Sequence, residues 1–224
     1  MRDVGSDGIV RLEGIHSPYD ATGSYFSLED WAITQREQPE QFGRLLAALE
    51  KRTEKLLPLV LGVPGEFLSM GSLSGIYGPQ QYWRYVLPCY QRYVPQLQGA
   101  GKLCALHAHN SDLSKFSDLV KQTGVAVVEA FTPPPVGDLS LADARAAWGA
   151  DTVIWVNFPE TIFWHARKET YQYTADLLEQ DKGSGRLVIG MTEMGSYGIT
   201  DDESEHAFKE GMRAIMDAID DCGA

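Results

Sequence analysis

His107 and His109 close an apolar run, Leu103 to Leu106, just before the chain turns polar at Asn110. In an extended strand, side chains at i and i+2 share a face, so both imidazoles leave the strand's end together. Two further apolar runs lead into carboxylates. Val125 to Val128 runs into Glu129, and Leu187 to Gly190 runs through Met191 and Thr192 into Glu193. Two imidazoles and two carboxylates are the donors that a divalent metal or a general acid–base pair requires. The C-terminal ends of parallel strands are where α/β barrels carry such groups. The plainer reading is three unconnected strand ends with polar tips.

Other residues are weaker candidates. His16 follows the first strand-like run, either as a substrate contact or as an exposed loop imidazole. Asn157 ends the run Thr152 to Val156, where it contacts substrate or begins a turn before Pro159. Asp138, after Pro-Val-Gly, reads as a cap on local structure, with substrate binding as its alternative. His206 lies among Glu203, Glu205 and Lys209 on a solvated face, and His165, beside Trp164, is assigned no chemistry. Tyr82, Trp83 and Tyr85 read as core or barrel-cap packing, and Met212 and Met216 as core-facing by their spacing.

The elements that must position these groups alternate. Strand-like runs at Ile9–Glu13, Phe67–Met70, Leu103–His107, Val125–Glu129, Thr152–Val156 and Leu187–Gly190 are separated by helical patterns. Pro39 opens a helix carrying Phe42, Leu45, Leu46 and Leu49 on one face. Pro88 is expected to kink or break the aromatic helix that starts at Pro79. Ser111 and Gly124 bound a helix with Leu113, Phe116, Leu119 and Val120 on one face, and Ser140 to Asp143 reads as a capping box. The last helix presents Phe208, Met212, Ile215, Met216 and Ile219. Strands apolar throughout, alternating with helices, indicate a parallel sheet covered by helices. The expectation is an α/β fold, a (β/α)8 TIM-type barrel incomplete at its N-terminus with about six strands, as one domain over residues 1–224. No Gly-rich phosphate loop follows any strand.

With 224 residues, 44% of them hydrophobic and 22% charged, the chain has an ordinary globular composition. Its net charge of −12 argues against nucleic-acid or anionic-membrane partners. Cys89, Cys104 and Cys222 are scattered and odd in number, which fits a reducing compartment, and the cytoplasm is the expected location.

Taken in order, four motifs resemble those of the uroporphyrinogen decarboxylase superfamily, which includes the cobalamin-dependent methyltransferases. They are Gln38-Pro39-Glu40 opening a helix, Gly75 to Tyr82 followed by Leu87-Pro88, Leu106-His107-Ala108-His109-Asn110, and Glu129 to Asp138. The resemblance covers Glu37 to the C-terminus, the family's C-terminal two-thirds, and implies that the chain begins well inside the family's domain.

In the methyltransferase branch, the resemblance implies zinc held by a His-x-Cys pair, a later Glu and a late Cys, activating a thiol that accepts a methyl group. His107 matches the His, His109 stands at the Cys, Glu129 matches the Glu, and Glu193 falls at the late Cys. Imidazole and carboxylate in place of thiolates make a harder, less electron-rich metal site.

The expected function is thus a metal-dependent methyltransferase acting on a small thiol or hydroxyl substrate. The metal would be zinc for preference, and the methylcorrinoid donor would be carried by a partner protein. One alternative is a decarboxylase or lyase using His107 and Glu129 as general base and acid. A second is a non-catalytic ligand-binding or assembly subunit, its strand edge covered by another copy.

Overall fold

A computed structural model describes residues 8–73, 75–109, 112–164, 167–182, 184–191 and 199–222. Glu193, Ser111 and His165 lie outside these residues. Six strands form one sheet in the order β1 to β6: Arg11–Glu13, Phe67–Ser72, Leu103–His107, Val127–Phe131, Val153–Asn157 and Leu187–Gly190. The β1–β2, β2–β3 and β5–β6 pairs are parallel. Each strand lies beside its sequence neighbour with helical chain between, the α/β arrangement of a partial TIM-type barrel.

The chain divides into two compact units, Met1–His107 with Leu119–Val127, and Ala108–Asp118 with Val128–Ala224. In the first unit, the stretch between β1 and β2 holds α1 (Pro18–Thr22), α2 (Leu28–Glu37) and α3 (Pro39–Gly62). The apolar periodicity predicts no helix before Pro39. Yet Ser17 and Ser27 cap α1 and α2, each accepting a backbone N–H three residues on, and these short helices lack a long apolar stripe. Tyr19 stacks on Tyr85 with centroids 4.8 Å apart and meets Trp31 at 5.0 Å. The Trp31 indole donates to Thr22 Oγ1 at 2.6 Å.

Between β2 and β3 run α4 (Pro79–Gln81), a π-helical turn (Tyr82–Val86) and α5 (Leu87–Gly99). Pro88 sits in the first turn of α5, where its missing N–H costs nothing, so the break falls just before it. Tyr82 is fully buried, but Trp83 is 61% exposed and takes no part in the core. Lys102 is buried, its ammonium donating to the carbonyls of Val63 and Gly65 at 2.6 and 2.8 Å beyond the end of α3.

The helix expected after His109 is a 3₁₀ turn, Leu113–Phe116, continued by α6 (Ser117–Thr123) and ended at Gly124 (φ 70°). Cys104 is fully buried, and burial pushes its thiol up to about 12, which leaves it an inert core residue.

The second unit holds α7 (Leu141–Trp148), α8 (Glu160–Phe163), α9 (Arg167–Gln180) and α10 (Asp202–Cys222). Ser140 caps α7 as the sequence indicated, and Gly149 ends it at φ 92°. Helix α10 packs on α9 and buries Gly211, Ala214, Ile215 and Ala218, with Gly211 close against the Phe163 ring of α8. Met216 is 54% exposed, so the apolar stripe is wider than the face that packing covers.

Candidate active site

The first unit presents a cleft of about 260 Å³ lined by Arg11, Glu13, His16, Ser69, Gly71, Ser72 and His107. Register explains the grouping. Glu13 is paired with Ser69 across β1–β2, and Ser72 with His107 across β2–β3, so the C-terminal ends of three strands open together. Arg11 and Glu13, two apart on one strand, share a face. The Arg11 guanidinium donates to Ser69 Oγ at 3.1 Å and to Glu13 Oε1 at 3.4 Å. Glu13 Oε2 lies 3.5 Å from His16 Nε2. His107 is half-buried, and its carbonyl accepts the Leu73 N–H at 2.8 Å.

Behind the cleft lies Asp20. Its carboxylate accepts the Tyr77 hydroxyl at 2.8 Å and the Ser17 hydroxyl at 2.7 Å. Burial holds its carboxyl above the usual range, opposed by those two hydrogen bonds and by the attraction of His16. The ladder shifts register between Ser69 and Ser72, with Gly71 at φ 110°. Such irregularities re-aim side chains beside functional sites.

A methyl group on Gly71 would stand 3.3 Å from His16 Nδ1, 3.7 Å from the Tyr90 hydroxyl and 3.8 Å from Asp20 Oδ2. Gly71→Ala is therefore expected to cost about 1–3 kcal/mol of backbone strain and to push His16 off its seat. Urea unfolding within about 0.5 kcal/mol of wild type would show that the strain is relieved elsewhere.

The remaining sequence candidates belong to the second unit. His109 is exposed just beyond β3. Glu129 is 3% exposed and lies in the middle of β4 rather than at its tip, because the strand runs on to Phe131. Its carbonyl accepts the Ala108 N–H at 2.7 Å. Ala130, next along, has φ 56°, a left-handed conformation that L-residues adopt at a cost and that clusters at functional sites.

Asn157 ends β5 and donates through Nδ2 to Thr132 Oγ1 at 3.2 Å. Asp138 accepts both the backbone N–H (2.9 Å) and the hydroxyl of Ser114, fastening the 3₁₀ turn. Partial burial raises the Asp138 carboxyl, but the Ser114 hydrogen bonds outweigh it and lower the net value. The capping reading of Asp138 therefore has a partner in the structure. His206 is exposed, as expected.

Among the described residues, no group of three or more His, Cys, Asp or Glu side chains is placed to hold a metal ion. His107, His109 and Glu129 thus do not by themselves form a coordination shell, and Glu193 lies outside the described residues. Nor is any described helix long and apolar enough to cross a membrane. Arg11, Glu13, Asp20, Ser69 and Ser72 were not singled out from the sequence. Two signals pointed to them: charged residues alternating on a short strand, and a glycine inside β2, which marks a bulge or close approach.

No family model matches the chain, and no curated protein matches it. Among solved structures, a methyltransferase from Methanosarcina mazei is similar, with a TM-score of 0.70 at 12% identity. The match covers 100% of this chain and 61% of that one, so this chain spans less than two-thirds of its neighbour's length. At this identity the likeness concerns the fold.

Proposed function

We propose that the chain is a methyltransferase-type enzyme that places a methyl group on the thiol or hydroxyl of a small acceptor, in the cytoplasm. A methylcorrinoid carried by a separate protein would be the donor. The observation that carries this reading is the cleft at the ends of β1, β2 and β3, where Arg11, Glu13, His16 and His107 converge. The fold likeness to a methyltransferase supports it.

In this reading His107 contacts the acceptor and orients its S–H or O–H, while Ser69 and Ser72 supply hydroxyls for its polar groups. As the acceptor's lone pair forms the new bond to carbon, the bond from donor to carbon breaks and its electron pair stays with the donor. A divalent metal, if His107, His109, Glu129 and Glu193 together held one, would supply Lewis acidity that eases ionisation of the acceptor. Among the described residues no such trio assembles a shell.

The test is direct. Purified protein is mixed with methylcobalamin and a panel of small thiols and alcohols, with and without added zinc. The cobalt chromophore and the methylated product are followed together. Acceleration above the protein-free rate supports methyl transfer. Its absence throughout the panel overturns it and leaves the lyase and the binding or assembly readings, the last read from size in solution.

A further inference from the structure

The chain carries 31 acidic residues against 19 lysines and arginines, so carboxylates are plentiful wherever an arginine could use one. Arg11, Arg92, Arg145, Arg167 and Arg213 each meet a carboxylate. Among the described residues Arg36 and Arg84 meet none, yet both line one cavity of about 430 Å³ in the first unit. No Asp or Glu lines it. Helix position accounts for one of the two: Arg36 lies in the last turn of α2, where a cation suits the helix dipole. Arg84 lacks that reason, because the π-helical turn that carries it runs straight on into α5.

The cavity wall is made of side chains that fix one another. The Arg84 guanidinium carbon lies 5.3 Å from the centroid of the Tyr85 ring, a cation–π contact, and Tyr85 is stacked on Tyr19. The Tyr19 hydroxyl donates to Gln35 Oε1 at 2.7 Å, and Gln35 Nε2 donates to the Trp31 carbonyl at 3.3 Å. Gln81 Oε1 accepts the Gly78 N–H at 3.2 Å, which leaves its amide nitrogen as a donor for something else. In the π-helical turn the Leu87 N–H reaches the Tyr82 carbonyl, five residues back. Such turns recur at functional sites.

We propose that this cavity binds an organic anion, a carboxylate or phosphate monoester on a compact apolar body. The guanidinium forks of Arg36 and Arg84 match the paired oxygens of such groups. The Gln81 amide adds a neutral donor, and Ile76, 51% exposed, meets the apolar part together with Tyr85. The volume lies in the range of small-molecule sites. The cavity shares no lining residue with the cleft at the ends of β1, β2 and β3. The inference is therefore independent of the methyl-transfer reading. The two places are neighbours all the same: Tyr19 and Ile76 directly precede Asp20 and Tyr77, whose hydrogen bond lies behind the cleft.

Titration calorimetry with phenyl phosphate and with benzoate tests the site, with benzyl alcohol as the uncharged control and inorganic phosphate as the bare anion. At least one organic anion is expected to bind with a Kd below about 1 mM, and benzyl alcohol to give no binding heat. Arg36→Gln and Arg84→Gln should each weaken binding about tenfold or more, the usual loss when a charged hydrogen-bonding partner is removed. Arg44→Gln, at an exposed arginine of α3 outside the cavity, should leave it unchanged. Both cavity arginines are exposed, so their variants keep the fold.

No binding by either organic anion at about 10 mM would overturn the proposal, as would binding that either cavity substitution leaves unchanged. Inorganic phosphate or benzyl alcohol binding as tightly as phenyl phosphate would overturn the ligand class.

Discussion

Arg145→Ala is expected to destabilise the second unit by about 3–5 kcal/mol, the cost of stranding one partner of a buried ion pair. Arg145 extends from α7, and its Nε donates to Asp181 Oδ1 at 2.7 Å. Its other nitrogens reach the carbonyls of Gly149 (2.9 Å), Thr152 (2.5 Å) and Arg186 (3.3 Å). One guanidinium thus ties the end of α7 and the end of α9 to the starts of β5 and β6. The two side chains are 13% and 4% exposed, so water cannot replace the lost partner. Ser184 donates to the second oxygen of Asp181, but one hydroxyl does not offset a buried charge.

Urea unfolding monitored by circular dichroism measures the effect. Arg145→Lys should fall between wild type and alanine, because an ammonium cannot reproduce the fork that meets several acceptors at once. Pairing Arg145→Met with Asp181→Leu should recover much of the loss, since the stranded charge is then gone. A loss under about 1 kcal/mol for Arg145→Ala would mean that the pair is solvated in solution.

The largest functional effect is expected at His107. His107→Ala should lower the rate of methyl transfer about 100- to 1,000-fold, the usual consequence of removing a group that orients and polarises the reacting atom. Stability should change little, because the half-buried side chain lines a cleft rather than filling a core, and the strand is held by backbone bonds such as Leu73 N–H to the His107 carbonyl.

The variant also separates two roles. If His107 is a metal donor, metal content measured on protein purified without chelator drops with activity, and added imidazole restores neither. If it acts directly on the acceptor, metal content is unchanged and imidazole recovers part of the rate. His107→Ala at wild-type rate would remove His107 from the site altogether.

What was legible in the sequence was local. An apolar run marked β4, which is buried along its whole length, and runs of four or five residues marked β3, β5 and β6, whereas β1 carries the exposed Arg11 and Glu13. Gly124 and Gly149 marked helix ends because their left-handed φ values, 70° and 92°, suit glycine. The Ser140 box marked a helix start, and the boxes at Ser17 and Ser27 carried the same signal before helices too short to show a stripe. Of the cleft, the sequence reading names His16 and His107, while Arg11, Glu13, Ser69 and Ser72 leave only the indirect signals of an alternating charged strand and a glycine inside β2.

The sequence by itself determined the alternation of strand and helix, their caps, and the placing of imidazoles at strand ends, since each depends on neighbours within a few residues. Only the tertiary structure decided that Glu13 stands beside Ser69 and Ser72 beside His107, that Glu129 is interior to its strand, and that Asp20, one of three similar cap aspartates, also takes the Tyr77 hydroxyl. Register and burial join residues far apart in the chain, and no local pattern records which distant partners will meet.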